Sequence, residues 1–399
     1  MLFLICPFLY RGIFMLVPAR RLDGMRKSFI HEMTRLALSC QSINLAQGFP
    51  DFDPPREIIE AAHRALDSGT NQYTNTWGLP ALRQAIAAKM KRRYNLEYHP
   101  DEHITVTCGA TEAISAALAA IVNPGDEVII FEPFHEGYWP AASLAGATPR
   151  FVALDPPNYR LDLDRLRASF SSRTRAILVN TPHNPTGRVL THSELSGIAR
   201  LCREFDSVAI ADEIYEHIIY SDLPHIPIAS LPGMRERTIT IGGFGKTFAV
   251  TGWRIGYVCA LDPLSTALRT IHDYATICAP SPLQAACVAA LELPPAYYEQ
   301  LKLEYRERRD TMMSILREAR FEAQPPEGAY YVMADFGPWK FDGDDVAFAR
   351  YLAMEHAVAV VPASSFYATP GLGKRFVRFA FAKKPETLAA ACERLRRAH

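Results

Sequence analysis

A single lysine set among glycines, at the end of an apolar β-branched run, is the residue of this chain best placed to do chemistry. The run Thr238-Ile-Thr-Ile-Gly-Gly-Phe-Gly-Lys246 stops at its glycines, and Arg254 follows eight residues later. A lysine so placed suits either a phosphate cradle or imine formation. A phosphate loop needs the pattern G-x-x-x-x-G-K-[ST]. Gly245-Lys246-Thr247 matches its end, but Thr240 stands where the first glycine belongs. Imine chemistry asks instead for a lysine Schiff base to pyridoxal phosphate and an acidic partner for the pyridine nitrogen. Val208-Ala-Ile-Ala-Asp212, a second apolar run ending in a carboxylate, supplies that partner. Lysines are mostly solvated, so Lys246 carries this reading only together with Asp212.

Both residues need a scaffold that brings strand ends together. From residue 103 onward, short β-branched runs alternate with helical periodicity: His103 to Thr107, an Ala-rich helix from Gly109 through Ile121, Glu127 to Phe131, Arg175 to Asn180, a helix near Ser193 to Phe205, then the Val208, Thr238 and Ile255 runs. Such alternation predicts βαβ units and a mainly parallel sheet with helices on both faces. Ligands of open α/β sheets bind outside the carboxyl ends of the strands, and Asn180 to Asn184, Asp212 and Lys246 all fall there. Past Pro294-Pro295 a long charged helix, Tyr297 to Arg320, leads into a smaller α+β part with strands at Tyr330 to Ala334, Val358 to Val361 and Phe376 to Phe381. The expected division is a segment 25–60 packing with the small domain, a large domain 61–293 and a small domain 294–399.

The chain has 399 residues, beyond the size at which one hydrophobic core stops growing. Lys+Arg and Asp+Glu both number 43, so charge gives no reason to expect nucleic acid or an anionic membrane as partner. Eight cysteines without a C-x-x-C pair argue against zinc and redox motifs and suit reduced thiols in the cytoplasm. Met1 to Val17 is largely apolar but is broken by Pro7, Arg11 and Gly12, and it falls short of the about 20 residues of a membrane span. Residues 1–24 are expected to be an extension, with Met15 or Met25 as a true start.

With these residues in view, the chain resembles fold-type I, class I pyridoxal-phosphate aminotransferases, nearest the branch of the kynurenine/glutamine and methionine aminotransferases. The pieces that carry the resemblance are Ala46-Gln-Gly-Phe-Pro-Asp-Phe52, Asn71-Gln-Tyr-Thr74, Asn180-Thr-Pro-His-Asn-Pro-Thr-Gly187, Ala211-Asp-Glu-Ile-Tyr215, Gly245-Lys-Thr-Phe248 with Thr251-Gly-Trp-Arg254, and Val377-Arg-Phe-Ala380. The resemblance implies a large domain built on a mainly parallel seven-stranded sheet plus a smaller α+β domain. It implies that Lys246 holds pyridoxal 5′-phosphate as an internal aldimine and then moves the Cα proton. Asp212 is implied at the pyridine nitrogen, Tyr215 and Asn184 at the phenolic oxygen, and Ala110, Thr111 and Arg254 at the phosphate. Tyr73 resembles the tyrosine that reaches the phosphate of a neighbouring subunit, which implies a homodimer with shared sites. Arg378 resembles the arginine that grips the substrate carboxylate, with Asn184, Gly48 and Tyr138 also at the substrate.

The implied reaction is ping-pong transfer of an amino group from an L-amino acid to a 2-oxo acid, with 2-oxoglutarate the expected acceptor; a cysteine-S-conjugate β-lyase on the same scaffold is the alternative. Two positions depart from the family pattern. Gly243 stands where a phosphate-binding serine is common, and His135 stands where a ring stacks on the cofactor, with Phe134 or Tyr138 as substitutes. The pocket lining is expected from Phe49, Trp77, His135, Tyr138 and Phe366, an aromatic and mainly neutral set. That set favours neutral or aromatic donors over aspartate.

Overall fold

The computed structural model describes residues 27–397 together with Ala19, Leu22 and Met25. The extension expected over 1–24 falls on a stretch of which only Ala19 and Leu22 are described, and the start at Met15 lies outside the described residues. The chain first forms a short strand β1 (Ile43–Asn44), then seven strands of one sheet: β2 (Ile104–Thr107), β3 (Glu127–Glu132), β4 (Thr148–Ala153), β5 (Thr174–Asn180), β6 (Val208–Asp212), β7 (Thr238–Gly243) and β8 (Gly256–Cys259). Their order is β2-β8-β7-β6-β5-β3-β4. Strands β3 to β7 pair in parallel, whereas β8 runs antiparallel to both β7 and β2. The reversal has a local cause. Parallel neighbours need a crossover of a dozen or more residues, usually a helix. Between Gly243 and Gly256 the chain forms only the 3₁₀ turn Thr251–Trp253, so it doubles back.

Helices cover both faces. The Gly109–Ile121 helix and the Leu264–Ala275 helix pack on one side, where Ile130, Leu178, Ile210 and Ile241 turn inward. On the other side Ile129, Ile177, Ala209 and Ala211 join a core shared with the C-terminal part. This is the period-two alternation of a strand buried on both faces. The helix His192–Glu204 starts at a capping box in which the Thr191 side chain and Glu194 satisfy each other's backbone N–H.

The smaller sheet holds β9 (Glu322–Ala323), β10 (Tyr331–Asp335), β12 (Val361–Pro362) and β13 (Phe376–Ala380), all antiparallel, in the order β12-β13-β10-β9. Strand β11 (Val358–Ala359) pairs in parallel with β1, so residues 43–44 join the C-terminal part through backbone bonds. The register carries the function of the large sheet. Asn180 lies beside Asp212 across β5 and β6, and Asp212 lies beside Ile241 across β6 and β7. The carboxyl ends of three strands therefore finish level, with Lys246 three residues beyond β7.

Candidate active site

Those strand ends open into a cavity of about 510 Å³, closed from the opposite side by β10 and β13. Of the residues expected at the site, Gly48, Ala110, Thr111, His135, Tyr138, Asn184, Asp212, Tyr215, Lys246, Arg254 and Arg378 all line it. Tyr73 does not. It stands 77 % exposed on the loop whose Gln72 carbonyl accepts from Ser281. Phe49 and Trp77 are also absent from the lining, because cations cover their rings: Lys383 lies 4.0 Å above Phe49 and Arg269 4.2 Å above Trp77. Phe366 is buried under Arg378, 4.8 Å from its guanidinium.

The Lys246 amine donates to the Gly48 carbonyl at 3.0 Å and faces the rings of Tyr215 and Tyr330. Burial pushes its pKa below that of a free lysine; Arg378 acts in the same direction, while Tyr331 and Asp212 oppose it. Asp212 is 7 % exposed, and burial pushes its pKa upward. The strongest counterweight is the Tyr138 hydroxyl, which donates to Asp212 Oδ2 at 2.6 Å. Asn180 donates from its amide to the Asp212 carbonyl at 2.9 Å and accepts the Asn184 N–H at 2.8 Å. Tyr215 shares a 3.0 Å hydrogen bond with Tyr331, and burial holds its hydroxyl protonated far above neutrality.

Arg378 is fully buried in β13. It donates through Nη1 to Asn184 Oδ1 at 2.9 Å and through Nη2 to the Ala46 carbonyl at 2.6 Å, with Tyr331 stacked 4.3 Å away. Its Nε has no protein partner. A guanidinium carries five N–H donors, so donors remain for a carboxylate entering the cavity.

At the other end, the helix Gly109–Ile121 points its N-terminus at the cavity. Gly109 adopts φ +77°, and a Cβ there would lie 2.6 Å from Arg254 Nη2. The N–H groups of the first turn and the Arg254 guanidinium thus lie together at this end of the cavity, where they could take an anion. Gly243 is tightly packed, since a Cβ on it would come within 2.6 Å of Ile214 Cδ1. His135 accepts the Gly137 N–H on Nδ1 at 3.2 Å, and its ring centroid lies 5.4 Å from that of Tyr138. Burial brings its pKa down to about 4, so the ring is neutral at physiological pH.

Several lining groups have no signature in the sequence. Tyr331 hydrogen-bonds Tyr215 and stacks on Arg378, while outside the lining the Ala46 carbonyl accepts from Arg378 through the backbone alone. Ser28 donates to Glu136 at 2.6 Å and draws residues 27–31 over the mouth. Tyr330-Tyr331 following Gly328 could have drawn notice as paired aromatics at a strand start; the Ser28 contact spans 108 positions and leaves no local trace.

The sequence profile of the family "Aminotransferase class I and II" matches residues 41–395. Methionine aminotransferase of Escherichia coli strain K12 is 40 % identical over 381 residues, covering 96 % of this chain and 98 % of that protein. Human kynurenine–oxoglutarate transaminase 1 is 36 % identical, covering 95 % and 97 % respectively. The solved structure of N-succinyldiaminopimelate aminotransferase from Mycobacterium tuberculosis superposes with a TM-score of 0.93 at 38 % identity, covering 96 % of this chain and all of that one.

Proposed function

Because the chain belongs to the class I and II aminotransferase family, we propose that it uses pyridoxal 5′-phosphate to move an amino group from a neutral or aromatic L-amino acid to a 2-oxo acid such as 2-oxoglutarate. The observation that carries this reading is one cavity holding a lysine of lowered pKa, a buried aspartate at a strand end and a buried arginine with spare donors. The donor set fits the cofactor: an anion cradle at Gly109 to Thr111 and Arg254, a carboxylate at Asp212, and polar groups at Tyr215 and Asn184. When bound, the cofactor supplies an electron sink for the pair left at the substrate Cα.

Everything else falls to the chain's own residues. Ala110 and Thr111 N–H groups and Arg254 would hold the phosphate, and Asp212 would keep the ring nitrogen protonated. Tyr138 favours the ionised form of that carboxylate by donating to it. Tyr215 and Asn184 would donate to the phenolic oxygen. Arg378 binds the α-carboxylate through its planar fork, which a point-charged lysine could not match. Lys246 Nζ, its pKa lowered by burial, takes the proton from the substrate Cα in its uncharged form and delivers it two bonds away, across the substrate nitrogen. His135, neutral and held by Gly137, offers a ring face without adding charge.

Arg254 and Thr111 are exposed in the single chain, as is Tyr73. This supports a homodimer in which Tyr73 reaches the phosphate of the second copy. The free thiols among the described residues suit a cytoplasmic setting, and among those residues no helix is long and apolar enough to cross a membrane.

The test is the visible absorption of the purified protein with and without pyridoxal phosphate, repeated for Lys246→Ala. A band lost in the variant, bleached by methionine, glutamine or phenylalanine and restored by 2-oxoglutarate, is the expected result. No band under any condition would overturn the reading. Aspartate far outperforming the other donors would overturn the substrate class, and pyruvate and ammonia released from a cysteine conjugate without any oxo acid would move the assignment to the β-lyase.

A further inference from the structure

One buried cation plays no part in the chemistry above. Lys383 follows β13, is 2 % exposed, and donates to the Phe49 carbonyl at 2.9 Å while lying over the Phe49 ring. Phe49 belongs to a stretch, Ala46 to Asp51, whose Gln47 and Gly48 line the cavity. Three cations grip that stretch through its carbonyls: Arg378 at Ala46, Lys246 at Gly48 and Lys383 at Phe49. Asp51 completes the fastening by accepting from the Lys384 N–H at 2.5 Å and the Thr387 hydroxyl at 2.7 Å. The fit is close, since a Cβ on Gly48 would stand 1.9 Å from the Tyr331 hydroxyl.

Two of the three cationic grips are recruited by the reaction proposed above. Lys246 must leave the Gly48 carbonyl to act on substrate, and Arg378 must turn donors toward a carboxylate. Each event removes or strains a charged anchor of the same stretch, leaving the Tyr330 hydroxyl on Gly48 at 3.0 Å. Lys383 alone keeps its partner throughout. We propose that Lys383 is a positioning residue, which pins residues 46–51 so that the Ala46 and Gly48 carbonyls stay in place while Lys246 and Arg378 change partners. The inference rests on the transaminase reading.

The groups around Lys383 are few. Asp51 faces it and favours its charge, Arg308 of the Pro295–Glu318 helix donates to its carbonyl at 3.1 Å and is itself paired with Glu304, and Lys384 adjoins it in sequence. Burial outweighs Asp51 and lowers the Lys383 pKa to about 8. The charged form of the anchor is therefore present below that pH and is lost as pH rises through it. An arginine in its place stays charged throughout.

Lys383→Met and Lys383→Arg separate a positioning role from a merely structural one. In apo protein, Lys383→Met is expected to raise amide hydrogen exchange of residues 46–52 about tenfold, with the large sheet unchanged, as suits loss of one charge-assisted bond. In the cofactor-loaded enzyme, KM for 2-oxoglutarate is expected to rise about tenfold with kcat within about threefold, and Lys383→Arg to restore both. The wild-type KM rises as pH climbs through about 8, while that of Lys383→Arg stays flat. Exchange and KM unchanged in Lys383→Met, or exchange raised uniformly over the whole chain, would overturn the proposal. If Lys383→Met fails to fold, the alkaline comparison of Lys383→Arg with wild type decides, and coincident limbs overturn it. Absence of turnover in the wild type would sink the transaminase reading instead, and the exchange measurement would still judge the loop.

Discussion

Removing one hydroxyl, by Tyr138→Phe, tests how the cavity favours the ionised form of a buried carboxyl. Tyr138 and Asp212 are 3 % and 7 % exposed, and their 2.6 Å hydrogen bond is the strongest influence opposing the upward push of burial on Asp212. A hydrogen bond to a charged group contributes about 1.5–3 kcal/mol and one between neutral groups about 0.5–1.5 kcal/mol. The hydroxyl thus favours the ionised over the protonated carboxyl by about 1–1.5 kcal/mol. At about 1.36 kcal/mol per unit, its loss raises the Asp212 pKa by about one further unit. The sign follows from which form is needed. Pairing with a pyridinium nitrogen requires the carboxylate, so affinity for pyridoxal phosphate is lost as pH falls through the Asp212 pKa, and in the variant that loss begins about one unit higher. Cofactor titrations by absorbance between about pH 5 and 9 measure this. The phosphate titrates alike in both proteins, so the displacement between the two acid limbs reports Asp212 and the lysine it faces. Superimposed limbs would refute the assignment, and a uniform loss of affinity at all pH values would reduce Tyr138 to packing.

Three further perturbations follow from the same geometry. Arg378→Lys replaces a fork that spans Asn184 and Ala46 with a single ammonium; kcat/KM should fall by at least about tenfold, mostly through KM, in steady-state assays with any donor. Gly109→Ala forces a side chain into φ +77° and against Arg254, a cost of about 1–2 kcal/mol before any shift of the guanidinium. Equilibrium dialysis should show cofactor affinity down about tenfold, with the far-UV spectrum of the wild type retained. Lys89→Met strips the buried Glu216 of the ammonium that also donates to the Tyr257 hydroxyl at 2.5 Å. An uncompensated buried charge costs about 3–5 kcal/mol, so the thermal midpoint should drop sharply and recover when Glu216→Gln is added. Failure to recover would mean that packing, not charge, sets the loss.

How far the site could be read from the chain depended on whether a residue acts through its type at a strand end or through a distant contact. Asp212, Asn184 and Lys246 were legible because apolar runs mark where β5, β6 and β7 stop, and ligands gather there. The helix at Gly109 was legible to the residue, since a glycine follows a β-branched run and alanines follow the glycine. The antiparallel course of β8 was not, because alternation of apolar residues carries no strand direction. Nor was β4, whose exposed Thr148 and Arg150 dilute the pattern of a buried strand. The expectation that Phe49 and Trp77 would line the pocket failed for a related reason: aromatic type predicts burial but not what covers the ring, and here Lys383 and Arg269 do.

What the sequence could least convey is the charge balance of the closed cavity. Lys246, Arg254 and Arg378 face it with Lys27 at the rim, against the carboxylates of Asp212 and Glu136. The buried members of this set cost stability in proportion to their desolvation, as the raised pKa of Asp212 and the lowered pKa of Lys246 register. A phosphate at the Gly109 end and a carboxylate at Arg378 would bring the negative charge that these cations lack. Ligands that bind only the folded form stabilise it by mass action. The same groups that make the empty cavity electrostatically unfavourable therefore make loading it a stabilising event. The positive charge of Arg254 and Arg378 faces the cavity where the cofactor and substrate anions would sit, and among the described lining residues the buried carboxylate is Asp212, the partner a protonated ring nitrogen would need.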